Sequence, residues 1–387
     1  MSIIESSLHS DEAAIRARRG AKWDKHGDGV LAAWVADMDF DVPPAVREAV
    51  AWSAEHSAFG YERPEDYVEM YRACSRWMEA RYNWAPDSVA FGALTDLVQG
   101  LLLSIYAFSG PGDGVIVQGP IYPPFLSSIQ ALGRRIADNR LIDACGTAAV
   151  DLAGLDGLAA DPRNRLLLLC NPHNPSGRVL RRDELEAIAD IAIARDLIVV
   201  SDEIWMDVTY PGHSHIPFAT LGDAIAARTV TLTGASKSFN LGGLRCAVAI
   251  FGSPALRQRF EALPPRLRGV PSVLGLRAST AAWQDGGPWF DAVLRQLDAN
   301  RQTLAAFVHE RLPRVRHRPP EGTYLAWLDL SGLNLDRPAP AFLLEEARVA
   351  LSDGAEFGGG PQCARLNFAT PPAILDEVLV RIGRALG

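Results

Sequence analysis

The chain has no long apolar run. The uncharged stretch at residues 97–112 contains Gln99 and ends in Gly110-Pro-Gly112, short of the ~20 apolar residues that a spanning helix needs. No membrane span is expected. Cysteine is sparse, and the five residues (Cys74, Cys145, Cys170, Cys246, Cys363) are odd in number and far apart. None forms a Cys-x-x-Cys or a Cys/His pair at zinc-ligand spacing, so a reduced, cytoplasmic setting fits best. An excess of positive charge is also missing: 38 Lys+Arg stand against 46 Asp+Glu, for a formal charge of -8 spread without blocks. A nucleic-acid footprint would cluster Lys and Arg on a basic domain, so neither nucleic acid nor an anionic membrane is an expected partner. Small polar metabolites are. The first twelve residues have neither the basic start nor the apolar core of a signal peptide.

What is present is a globular balance, 48% hydrophobic and 22% charged over 387 residues, enough for a large domain carrying a smaller one. Short β-rich runs recur at 115–118, 166–170, 197–201, 229–233 and 246–251, several of them apolar on both faces. Such strands are buried on both sides, as in a mostly parallel sheet covered by helices. Between the second and third runs, Leu185, Ile188, Ala189, Ala192 and Ile193 follow helical spacing and complete a βαβ unit. After about residue 285 the texture changes to a long amphipathic stretch ending at Arg311 and separate strands around Tyr324 and Arg365. The predicted architecture is α/β, with a large domain at 46–284, a smaller α+β domain at 285–387, and residues 1–45 crossing back to pack with the latter.

In open α/β sheets ligands sit beyond the carboxyl ends of the strands, and three polar clusters follow the runs. Lys237 lies in Thr233-Gly-Ala-Ser-Lys-Ser-Phe-Asn-Leu-Gly-Gly-Leu-Arg245, where an apolar approach, small neighbours and a second cation suit a lysine that holds an aldehyde cofactor. Asp202 ends an apolar run; it can keep a heterocyclic nitrogen protonated or cap a helix. Asn174, between Pro172 and Pro175, can aim its amide at a phenolate-like oxygen or serve as a turn residue. Phosphate recognition calls for a helix N-terminus, small residues and a cation. The backbone amides of Leu94 and Thr95, in a segment opening the helical run toward Phe108, can supply it. Arg245 can add a bidentate charge, or be a surface arginine. Gly358-Gly-Gly360 lacks the flanking strand and helix of a dinucleotide fingerprint.

Together the motifs resemble the fold-type I pyridoxal-phosphate enzymes, and within them the branch of cystathionine β-lyases and related carbon-sulfur lyases. The likeness covers most of the chain. It rests on Trp34-Val-Ala-Asp-Met-Asp-Phe40, Phe59-Gly-Tyr61, Gly119-Pro-Ile-Tyr-Pro-Pro-Phe125, Asn171-Pro-His-Asn-Pro-Ser-Gly-Arg178, Ser201-Asp-Glu-Ile204, Pro320-Glu-Gly-Thr-Tyr324 and Arg365-Leu-Asn-Phe-Ala-Thr370. The resemblance implies a three-layer pyridoxal-phosphate-dependent transferase fold. It implies that Lys237 binds the aldehyde of pyridoxal 5'-phosphate, Asp202 pairs with the pyridine nitrogen, Asn174 contacts the ring hydroxyl, and Tyr122 stacks on the ring. Arg245, Ser236 and the Leu94 and Thr95 amides would hold the phosphate. Arg365 would grip the substrate carboxylate, and Tyr61 would arrive from the neighbouring subunit of a homodimer with shared sites. Packing roles for Tyr61 and Tyr122, and a structural ion pair for Arg365, are the plainer alternatives.

Two departures stand out. Many relatives carry Tyr or His three residues after the aspartate, where this chain has Trp205, whose indole donates a hydrogen bond but accepts no proton. Ala93 and Asp96 replace an expected glycine and proline. Beside a phosphate Asp96 would repel, so it is predicted to turn away and cap the following helix. The resemblance implies α,β-elimination on cystathionine, cysteine or a cysteine S-conjugate, giving pyruvate, ammonia and a thiol. A transamination to a 2-oxo acid uses the same lysine and is the alternative. A cofactor-binding regulator without turnover is a third reading, disfavoured by the intact set of Lys237, Asp202 and Arg365.

Overall fold

Along the apolar runs successive side chains enter opposite clusters, and this alternation decides the layering. In the computed structural model, which describes residues 8–387, a short strand β1 (Leu31–Ala32) precedes the seven strands of a central sheet. These are β2 (Phe91–Leu94), β3 (Gly114–Val117), β4 (Arg135–Asp138), β5 (Asn164–Cys170), β6 (Ile198–Asp202), β7 (Thr229–Thr233) and β8 (Ala247–Phe251). The first seven residues of the expected N-terminal segment lie outside the described residues. On β5, Leu166, Leu168 and Cys170 enter one apolar cluster while Leu167 and Leu169 enter another. Val115 and Val117 of β3 oppose Ile116 in the same way, and Val200 of β6 opposes Val199. A strand with both faces buried needs helices on both sides. The helix Leu97–Phe108 supplies one layer and Arg182–Ala194 the other.

The sheet order is β2-β8-β7-β6-β5-β3-β4. Only β8 runs against its neighbours, pairing antiparallel with β2 and β7, so the sheet is mixed and mostly parallel. The expected runs at 229–233, 166–170 and 197–201 lie within one or two residues of β7, β5 and β6. Strands β2 and β4 escaped the sequence reading for opposite reasons: β2 is short and contains Gly92 and Ala93, and β4 is a polar edge strand with Arg135 and Asp138 exposed. The helix expected to open near residue 92 begins instead at Leu97, because residues 91–94 are tied into the sheet.

A second, antiparallel sheet follows, in the order β12-β13-β10-β9. Its strands are β9 (Arg316–His317), β10 (Leu325–Asp329), β12 (Ser352–Asp353) and β13 (Cys363–Asn367), and β11 (Val349–Ala350) pairs in parallel with β1. The N-terminal segment therefore hydrogen-bonds to residues 349–350. The helix Pro372–Leu386 turns Leu375, Val378, Leu379 and Ile382 inward at helical spacing, and these share one core with Val293, Leu297 and Leu304 of Gly287–Arg311.

The segment after β5 is fixed by a buried charge network. Gly177 takes a left-handed φ of 69°, and a Cβ there would lie 2.3 Å from Pro320, so no larger side chain fits. Its carbonyl accepts from the amides of Glu321 and Gly322. Next in sequence, Arg178 bridges both oxygens of Glu184 at 2.7 and 2.8 Å and one oxygen of Glu321 at 3.1 Å. That same oxygen accepts the Val179 amide at 2.9 Å, and Arg318 pairs with the other. Removing one member of such a network leaves charge buried without a partner, which costs about 3–5 kcal/mol. Glu321→Ala is accordingly expected to lower the thermal unfolding midpoint by several degrees or more, and a midpoint within 1 °C or so of wild type would show that the network carries no stability.

Candidate active site

The carboxyl ends of β6 and β7, the segment after β5 and the amino end of the helix Leu97–Phe108 open onto one cavity of about 700 Å³. Trp34, Val35 and Ala36 close it on one side, and Ser352, Phe357 and Arg365 on another. Tyr122, Asn174, Asp202, Trp205, Ser236, Lys237, Arg245 and Arg365, eight residues expected to form the site, all line it. Three expected residues do not. Leu94 is fully buried at the end of β2, and the Thr95 amide donates to Gln99 Oε1 at 2.9 Å. Leu97 and Val98 line the cavity in their place. Tyr61 is 99% exposed and lies outside the lining.

Lys237 leaves β7 through Gly234 and Ala235 and points its Nζ at the Ala36 carbonyl, 3.0 Å away. Burial lowers its pKa, the nearby Asp37 carboxylate opposes that, and the Arg365 cation adds to it. The neutral amine, which is the nucleophilic and basic form, is thereby favoured. Asp202 is the last residue of β6, and its Oδ1 accepts the Ile204 amide at 3.1 Å, so the capping role and the cavity position coexist. Burial pushes its carboxyl up to about 7, against the pull of the Ile204 amide and with a further push from Glu203. A cation placed against it would reverse that shift.

Arg365 on β13 is nearly fully buried, yet its partners are all neutral: Asn174 Oδ1 at 3.0 Å, the Trp34 carbonyl at 3.0 Å and Ser352 Oγ at 3.1 Å. Its Nε has no partner. Burial draws its pKa down to about 10. A buried guanidinium with a spare N–H and no carboxylate is built to receive an anion. Because Asn174 Oδ1 accepts from Arg365, its Nδ2 is left as a donor.

At the other end, Asp96 caps the helix by accepting the Gln99 amide at 2.8 Å, as its place in the sequence predicts. The first-turn amides of Leu97 and Val98 have no intrahelical acceptor by helix geometry, and with Ser236 and Arg245 they surround one end of the cavity. Arg245 takes a left-handed φ of 53° and meets Asp96 Oδ2 at 2.8 Å. Its side chain is two-thirds exposed, so that pair is weak and readily exchanged for a phosphate.

Residues 35–382 match the family described as aminotransferase class I and II. The chain belongs to that family. Among curated members, it is 37% identical over 379 residues to cystathionine beta-lyase PatB of Bacillus subtilis (strain 168), covering 95% of this chain and 97% of that one. Cystalysin from Treponema denticola, solved with a pyridoxal 5'-phosphate cofactor, superposes with a TM-score of 0.90 at 32% identity, covering 95% of each chain. A putative pyridoxal-phosphate-dependent beta-cystathionase from Corynebacterium diphtheriae gives a TM-score of 0.92 at 32% identity over 98% of each chain.

Sequence reasoning about this family member passed over the contributions of Ser352 and Phe357. Phe357 lies 4.7 Å beneath the Arg365 guanidinium, and Ser352 holds its Nη2. Neither has a local signal, because each acts only through a residue brought to it by the fold. The Asp202 environment makes a signed prediction. A carboxyl whose folded pKa is raised contributes stability below its unfolded pKa near 4 and loses it as pH rises through about 7. In the cofactor-free protein, Asp202→Asn is expected to be more stable than wild type at pH 8, by on the order of 4 kcal/mol, with the gap closing below pH ~4. Parallel urea melts at the two pH values check it; a constant difference would refute the assignment.

Proposed function

We propose that this chain is a pyridoxal-phosphate-dependent carbon-sulfur β-lyase acting on cystathionine, cysteine or a cysteine S-conjugate. The observation that carries the reading is the convergence of a half-buried lysine amine, a buried carboxyl and an arginine with an orphaned Nε in one cavity. These residues fit the cofactor. Asp202 suits its ring nitrogen, and the Leu97 and Val98 amides with Ser236 and Arg245 suit its phosphate, three residues beyond the Leu94 and Thr95 amides first expected. The Asn174 Nδ2 suits its ring hydroxyl, Tyr122 its ring face, and Lys237 its aldehyde. When bound, the cofactor supplies an electron sink for the bonding electrons released at the substrate Cα.

The chain's own residues do the rest. Arg365 takes the substrate carboxylate through its free Nε and orients Cα. Lys237, biased toward the neutral amine by burial, removes the Cα proton. Trp205 has no basic atom and leaves that duty to the lysine; its place beside Lys237 is packing. The exposed Phe59 and Tyr61 support a homodimer in which a second copy covers them and brings Tyr61 to the neighbouring site. Five free thiols support a reduced cytoplasmic setting, and the two sheets support a division into a large domain at 46–284 and a small one at 285–387.

Purified protein incubated with cystathionine is expected to release pyruvate and thiol without forming glutamate from added 2-oxoglutarate. Glutamate without free thiol would instead establish the aminotransferase reading. Lys237→Ala is expected to lose the cofactor's visible absorbance, and a wild-type spectrum in that variant sinks the assignment. Arg365→Ala is expected to raise KM at least about tenfold, reflecting loss of a charge-assisted bond of more than about 1.4 kcal/mol. An unchanged KM would place the carboxylate elsewhere.

A further inference from the structure

Two donors meet on a single acceptor at the cavity wall. The Ala36 carbonyl receives Lys237 Nζ at 3.0 Å and the Tyr324 hydroxyl at 3.1 Å. Tyr324 is fully buried at the start of β10. Burial and the nearby Asp37 hold its pKa well above that of a free phenol, so it remains a donor at every working pH. Trp205 packs against the phenol edge to face, with ring centroids 4.6 Å apart at 77°, and the Lys237 ammonium position lies 5.6 Å from the same indole. Trp205 thus fixes the ring that carries the second donor.

The two donors differ in permanence. If Lys237 binds a cofactor aldehyde, as the proposed function requires, its nitrogen forms a double bond to the aldehyde carbon. The aldehyde oxygen leaves as water with both amine hydrogens. The lysine then has no N–H to give to Ala36, and a buried carbonyl without a partner is costly. We propose that Tyr324 is a positioning residue that keeps the Ala36 carbonyl satisfied and aimed while Lys237 is covalently engaged. Its hydroxyl favours the engaged lysine over the free one, because only the engaged state depends on it. Without that hydroxyl, the free amine is the carbonyl's remaining donor and the equilibrium moves toward release.

The test compares two cofactor forms rather than turnover. Cofactor-free wild type and Tyr324→Phe are titrated with pyridoxal phosphate and with pyridoxamine phosphate, which has no aldehyde. The variant is expected to bind the aldehyde form about tenfold more weakly while its affinity for the amine form changes less than about twofold. Equal weakening of both would make Tyr324 merely structural and overturn the proposal, as would no change in either. Trp205→Leu keeps the hydroxyl but frees the ring. Its ratio of the two dissociation constants is expected to move about threefold in the same direction, and an unmoved ratio also counts against the proposal. A wild-type protein that binds neither form removes the cofactor reading itself, whereas normal wild-type binding with unmoved variant ratios removes only the role of Tyr324.

Discussion

Buried backbone must find hydrogen-bond partners, and the segment 34–38, which runs along the cavity without belonging to either sheet, finds them almost entirely in side chains. The Trp34 carbonyl accepts from Arg365 and Ser352, the Val35 carbonyl from Asn367, and the Ala36 carbonyl from Lys237 and Tyr324. The Asp37 carbonyl accepts from Lys22 and Asn367, while Asn240 bonds both the amide and the carbonyl of Met38. These side chains come from the loop after β7, from Tyr324 just before β10, from β12 and β13, and from Lys22 near the chain's start. The segment is therefore positioned by every layer that meets at the site, and a shift in any one of them is felt at Lys237 and Arg365 together.

That arrangement places three cations, Lys237, Arg245 and Arg365, around a cavity also lined by Asp96, Asp202 and Glu356. Lys237 and Arg365 are both pushed toward their neutral forms by burial, and the Arg365 charge pushes Lys237 further. Asp202 is pushed toward its own neutral form. Bringing a phosphate, a ring cation and a substrate carboxylate into the cavity would satisfy Arg245, Asp202 and Arg365 in turn. Ligand binding would thus remove electrostatic penalties that the folded chain carries by itself.

The sheet was legible because its central strands β5 and β6 carry unbroken apolar runs, which neither a half-solvated strand nor a surface helix would show. The cavity lining was legible where a residue stands at or just past the end of such a strand, as Asp202 and Lys237 do. Composition carried a further signal: of 38 basic residues only Lys22, Lys25 and Lys237 are lysines. Lys22 is spent on a buried pair with Asp39 at 2.7 Å, and Lys25 lies over the Trp34 ring. The helix-start residues that line the cavity, Leu97 and Val98, lie three residues beyond Leu94 and Thr95, because register there depends on where β2 ends, and a four-residue strand containing Gly92 leaves no periodicity to read. Tyr324, Ser352 and Phe357 were illegible in their roles, since each contacts a partner remote in sequence that only the tertiary fold supplies.

The indole at Trp205 acquires meaning from the turn around it. On one side Glu203 accepts from Ser201, His215 and the Phe218 amide; on the other, Asp207 accepts from Trp77, Tyr82 and Ser238, the residue after Lys237. Both carboxylates are buried and each accepts three donors, which fixes the turn on either side of the indole. A histidine or tyrosine between them would have added a titratable group at the cofactor position. A tryptophan adds only a fixed ring, which packs on Tyr324 and faces the lysine. At this wall the lysine amine is instead held by a carbonyl that Tyr324 shares.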